Sequence, residues 1–114
     1  MLDKVVTKIV ALGVPGLVLL VAMAASGWVG GAAIVTALAI LGGPAGMLGG
    51  LFLLGILVLI SNALAKYGFW KIFEASVKKF EEKGMSHEEI IKRVEAYPIS
   101  KELKRRIKDL LSSS

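Results

Sequence analysis

The chain has 114 residues, of which 55% are hydrophobic and 20% charged, with a formal net charge of +5 and no cysteine. From Ile9 to Ala65 there are 57 consecutive residues without Asp, Glu, Lys, Arg or His, roughly 85 Å of helix against a hydrocarbon core of about 30 Å. Small soluble folds leave too much surface in water to hide such a run, which argues against a soluble enzyme or a nucleic-acid-binding domain, and without cysteine there is no disulfide framework or thiolate chemistry.

In chain order, Leu2, Val5, Val6, Ile9, Val10 and Leu12 fall at helical spacing, with Asp3, Lys4, Thr7 and Lys8 elsewhere on the helix. Gly13-Val14-Pro15-Gly16 breaks or kinks that helix. Leu17 to Ser26 is apolar again, and Gly27-Trp28-Val29-Gly30-Gly31 follows as punctuation, with Trp28 suited to a membrane–water interface. Ala22-Met23-Ala24 has the small residues of a signal-peptide cleavage site. The apolar character continues well past it, so the segment reads as retained.

The stretch 28–41 is 14 residues long, a length typical of re-entrant or buried segments. Gly42-Gly43-Pro44 ends it, and Pro44 is well placed to start a new helix. The 22 residues from Pro44 to Ala65 suffice for a full crossing, with Lys66, Tyr67 and Trp70 as a basic and aromatic collar. Lysines flank both ends of the apolar block, at Lys4 and Lys8 and again at Lys66, Lys71, Lys78 and Lys79. The positive-inside rule then places both ends in the cytoplasm and requires an even number of crossings. Two spans, about 9–26 and 44–65, satisfy it. Three spans with an outer N-terminus is the alternative.

The residues beyond Tyr67 form amphipathic helices. Phe69, Phe73, Val77 and Phe80 make one stripe, and Gly84 closes that helix. Ser86-His87-Glu88-Glu89 has the S-x-x-E pattern of a capping box and opens a helix carrying Ile90, Ile91, Val94 and Tyr97. Pro98 stops it, Ser100 reads as the next N-cap, and Leu103, Ile107, Leu110 and Leu111 line the last helix. Val77 and Phe80 are expected in the core of a small helical head, Phe69 and Trp70 at the bilayer surface.

Eleven of the thirteen glycines lie in the apolar block. Gly27 and Gly31, and then Gly42, Gly46 and Gly50, stand four apart, a spacing that lets helices approach closely in lipid. Self-association and packing of the protein's own hairpin are both open readings of that groove. Ser26, Thr36, Ser61 and Asn62 form no polar stripe, which disfavours a selective channel. The only histidine, His87, follows Ser86 directly and reads as part of a helix start rather than a catalytic pair or metal ligand. Gly42 to Gly50 lacks the Lys-Ser/Thr ending of a phosphate-binding loop.

Gly30-Gly31-Ala32-Ala33, the glycine cluster within Leu38 to Gly46, Leu54-Gly55-Ile56 and Ala63-Leu64-Ala65-Lys66-Tyr67 resemble the small interferon-alpha-inducible membrane proteins of animals. The resemblance covers about a third of the chain and implies an organelle or inner-membrane protein linked to cell death and antiviral defence, without enzymatic chemistry. The layout of short apolar helices before a basic tail is also similar to that of phage holins and defence toxins.

The expectation is an all-α integral membrane protein. Residues 1–66 form a Gly/Ala-rich helical hairpin of two spans with a short re-entrant or third apolar helix. Residues 67–114 form a basic cytoplasmic tail of amphipathic helices. It is placed in the cytoplasmic or inner membrane with both termini inside, against anionic headgroups. Gly27, Gly31, Gly42, Gly46 and Gly50 are the candidates for homo-oligomer packing, and Trp28, Lys66, Tyr67 and Trp70 for the membrane interface. The leading function is self-association that perturbs or permeabilises the membrane. The alternative is a non-toxic adaptor whose Ile90, Ile91, Val94, Leu103 and Ile107 bind a partner protein. No catalysis, cofactor, metal or nucleic acid is expected.

Overall fold

The first apolar stretch is cut in two at Gly13, whose φ is +79°. In the computed structural model, helix α1 (Leu2–Ala11) stops just before it and α2 (Val14–Ser26) begins just after it. The glycine serves both helices: its N–H donates to the Val10 carbonyl at 2.9 Å, and its own carbonyl accepts from the Gly16 N–H at 2.9 Å. Pro15 falls in the first turn of α2, where a missing N–H costs no intrahelical hydrogen bond. The expected crossing over 9–26 is therefore two helices rather than one.

The structure describes residues 2–26, 50–97, 99 and 101–113. Gly27, Trp28, Gly31, Gly42 and Gly46, the segment 28–41, Pro98 and Ser100 lie outside the described residues. All six described helices are α-helical, with no strand among the described residues: after α2 come α3 (Gly50–Tyr67), α4 (Phe69–Glu82), α5 (His87–Glu95) and α6 (Lys101–Ser113). The fold is all-α.

A helix apolar on every side needs partners on every side, and α2 has them. Leu17, Val18, Leu20 and Met23 are completely buried, and α2 packs against α1, α3, α4, α5 and α6. The amphipathic helices turn their apolar stripes toward it. α1 contributes Val5, Val6, Ile9 and Val10, α4 contributes Ile72, Phe73, Val77 and Phe80, and α5 and α6 contribute Ile90, Val94, Ile107 and Leu111. The two regions separated by sequence at residue 66 thus share one core. Among the described residues no single helix is long and apolar enough to cross a membrane. Gly55–Tyr67 and Phe69–Glu82 together have the length and composition, but they are bent by 115° at their junction.

Local chemistry fixes the ends. Gly68, at φ +85°, makes the sharp turn from α3 into α4. After α4, the Gly84 N–H donates to the Glu81 carbonyl and the Met85 N–H to the Phe80 carbonyl, each at 2.9 Å. This is a Schellman motif, and Gly84 at φ +91° is the left-handed residue it requires. Ser86 caps α5 by accepting from the Glu89 N–H at 3.2 Å. The reciprocal half of the capping box is not made: the Glu89 carboxylate instead accepts from Arg93 Nε at 3.4 Å, one turn on. α6 is clasped to the end of α5, because Lys104 Nζ donates to the Glu95 carbonyl at 2.8 Å and Lys108 pairs with the Glu95 carboxylate. Both lysines sit where a helix C-terminus favours positive charge.

Tyr97 follows α5 and is partly buried. Desolvation pushes its phenol above the usual value of about 10, and the nearby Arg93 charge partly opposes the rise. A raised folded-state pKa contributes stability that is present below the unfolded value and is lost as pH climbs through the folded one. Tyr97→Phe should therefore flatten part of the decline in stability above pH about 10. Unfolding transitions of both proteins at increasing alkaline pH test this, and parallel declines would exclude the effect.

Candidate functional site

Two surfaces of the described residues have the chemistry of a site. The first is the open face of α3. Helical spacing places Gly55, Val58, Asn62 and Ala65 on one side of that helix, and all four are exposed. Val58 is 59% exposed, the largest exposure of any big hydrophobic side chain among the described residues. A Cβ added at Gly55 would meet nothing within 4 Å. This face is apolar and smooth apart from one amide. It ends at Lys66, whose Nζ lies 5.5 Å from the centre of the Tyr67 ring. Trp70, in the first turn of α4 beyond the bend at Gly68, is 39% exposed and stacks on Phe73 with ring centres 5.7 Å apart. Phe69 approaches the same ring at 5.4 Å, so the buried Phe73 holds both outer aromatics in place. Val77 and Phe80 are in the core, as the stripe predicted, while Phe69 is half-buried and Trp70 open.

The second surface is a groove between α1 and α3. One cavity of about 220 Å³ has Val5, Leu59 and Ala63 as its walls, with Lys4, Asn62, Lys66 and Tyr67 around them. A second of about 210 Å³ adjoins it through Leu59 and is completed by Lys8, Gly55 and Ile56. The two helices run in opposite directions there, since Lys4 meets the Lys66 end of α3 and Lys8 the Gly55 end. No carboxylate lines either cavity. A wider open basin of about 620 Å³ lies between Trp70 and α6, but there Arg105 and Arg106 are accompanied by Glu102 and Asp109, so its formal charges cancel.

The five tail residues expected to bind a partner are placed differently. Ile90, Val94 and Ile107 are completely buried in the protein's own core, and Ile91 and Leu103 are partly buried against it. The stripe that reads as a docking face is the one the fold uses to cover α2. Of the glycine candidates only Gly50 lies among the described residues, as the first residue of α3. His87 opens α5, with Nε2 3.9 Å from a Glu81 carboxylate oxygen, beyond hydrogen-bonding distance. No group of three or more His, Asp or Glu side chains arranged to hold a metal occurs among the described residues.

The α1–α3 groove is the feature that sequence reasoning missed. Lys4 and Lys8 stand four apart, as do Asn62 and Lys66, so each pair is on one face of its own helix. That the two faces meet depends on the corner at Gly13, which spacing within a helix does not encode. Comparison with protein-family models, curated proteins and solved structures finds no match. The resemblance to interferon-alpha-inducible membrane proteins thus rests on the residues quoted for it.

Proposed function

We propose that the protein acts at a lipid bilayer, where it self-associates and perturbs the membrane. The observation that carries this reading is the open apolar face of α3, Gly55, Val58, Asn62 and Ala65, which ends at Lys66 and Tyr67, with the exposed Trp70 just past the bend at Gly68. An apolar helix face that ends in a basic and aromatic band suits the step from hydrocarbon to headgroups. The uncharged run from Ile9 to Ala65 supports the same reading, as do the lysines flanking it, which place both termini in the cytoplasm. In this reading the apolar block is a hairpin in the cytoplasmic or inner membrane. Small residues on α3 and at Gly42, Gly46 and Gly50 let copies pack closely.

Membrane potential in cells, followed with a voltage-sensitive dye after induced expression, tests the proposal. The wild type should depolarise the cells rapidly. Gly46→Leu should leave the potential intact at the same abundance in the membrane fraction. An undisturbed potential with abundant wild-type protein, or equal depolarisation by the variant, would overturn the proposal.

A further inference from the structure

Beyond general contact with a bilayer, we infer that the groove between α1 and α3 is a discrete site for one anionic phospholipid. An acyl chain lies along Val5, Ile56, Leu59 and Ala63, and the headgroup phosphate sits at the mouth between Lys4 and Lys66. The inference rests on the proposed action at a membrane and names the ligand of that surface.

Three observations favour this occupant. The groove is elongated: through two adjoining cavities its lining follows α3 over the twelve residues from Gly55 to Lys66, about 16 Å of helix, which suits an extended chain better than a compact ring. Val5, Ile56, Leu59 and Ala63 make an aliphatic floor, and the charged groups around it, Lys4, Lys8 and Lys66, are all basic, so chain and phosphate each meet what complements them. Most of its polar groups lie at one end, where Lys4 and Lys66 are joined by the Asn62 amide and Tyr67, against the single Lys8 at the other. Two ammonium groups beside a hydrogen-bonding amide suit a phosphodiester, and ammonium groups are established phosphate ligands. Lys8, at the far end, can lay its methylene stem along the apolar wall and keep its charge in the headgroup layer.

Native mass spectrometry of the protein released from neutral detergent micelles tests the site, after titration with either phosphatidylglycerol or phosphatidylcholine. The wild type should retain one phosphatidylglycerol, several-fold in excess over phosphatidylcholine. Lys4→Gln with Lys66→Gln should bring the anionic adduct down to the phosphatidylcholine level. Leu59→Trp, which fills the groove without changing charge, should abolish both adducts. Lys92→Gln with Lys101→Gln removes the same charge from α5 and α6 and should change nothing. Adducts unaffected by the groove variants, or reduced equally by the control pair, would overturn the site. If Leu59→Trp loses the helical content of the wild type, the lysine pair alone decides. Flotation with phosphatidylglycerol vesicles separates the two readings. Flotation without a stoichiometric adduct defeats this inference alone, whereas failure to float defeats the proposed action at a membrane.

Discussion

Gly16→Ala should destabilise the protein by about 3 kcal/mol or more, at or above the upper end for overpacking a core. The cause is space, not backbone conformation. A Cβ at position 16 would sit 2.2 Å from the Ile9 carbonyl oxygen, 3.0 Å from its carbon and 3.1 Å from Leu12 Cβ. Two of those three atoms are helical backbone, and Ile9 is completely buried, so neither can swing aside as a long side chain does. The α1–α2 corner must open, and with it the cover that α1 gives to α3 and α4. Gly84→Ala is the natural comparison. There a Cβ meets nothing within 4 Å, and only the left-handed φ is penalised, by about 1–2 kcal/mol. Denaturant unfolding followed by far-UV circular dichroism should rank Gly16→Ala well below Gly84→Ala. Equal midpoints would show that the two helices do not meet as closely as described.

Phe73→Ala should cost about 3–5 kcal/mol, the usual range for removing a fully enclosed aromatic ring. Phe73 is completely buried on the inner face of α4, and Phe69 and Trp70 both lean on it. Its neighbour Trp70 is the contrast. Truncation of that partly exposed ring should cost less, about 1–2 kcal/mol, because it forfeits the stacking on Phe73 but empties no enclosed site. It should nonetheless weaken binding to phosphatidylglycerol vesicles, where an interfacial tryptophan acts. The two substitutions therefore separate folding from membrane contact. If Trp70→Ala lost as much stability as Phe73→Ala, or bound vesicles as strongly as the wild type, its assignment to the interface would fail.

Much of the helical framework was legible in the residues themselves. The stop at Gly13, the Gly84 closure of α4 and the Ser86 cap of α5 follow from backbone rules that act within a few residues. The inner stripe of α4 was legible for the same reason, because a 3.6-residue period needs no knowledge of what it faces. The capping box was only half right. Glu89 stood at the correct position, but Arg93 one turn later is a charged partner, and the carboxylate turned to it.

What covers each stripe was not legible. Ile90, Val94 and Ile107 have the spacing of a docking face, and an apolar stripe looks the same whether its partner is another protein or another part of its own chain. The structure gives them α2 as neighbour, and so joins to one core the two regions that charge and hydropathy had divided at residue 66.

Composition and short-range spacing by themselves determined the all-α class, the separation of charge from the apolar block, and most of the helix ends, because propensity, capping and turn chemistry are local energies. The tertiary structure alone decided that α2 is covered by the five other described helices, that Gly16 is a contact point and not merely a breaker, and that Lys4 and Lys66 share one groove. Each of these depends on the direction in which the chain leaves Gly13 and Gly68. That direction is selected by burying the apolar area of the whole molecule at once, a sum over distant residues that no local window contains.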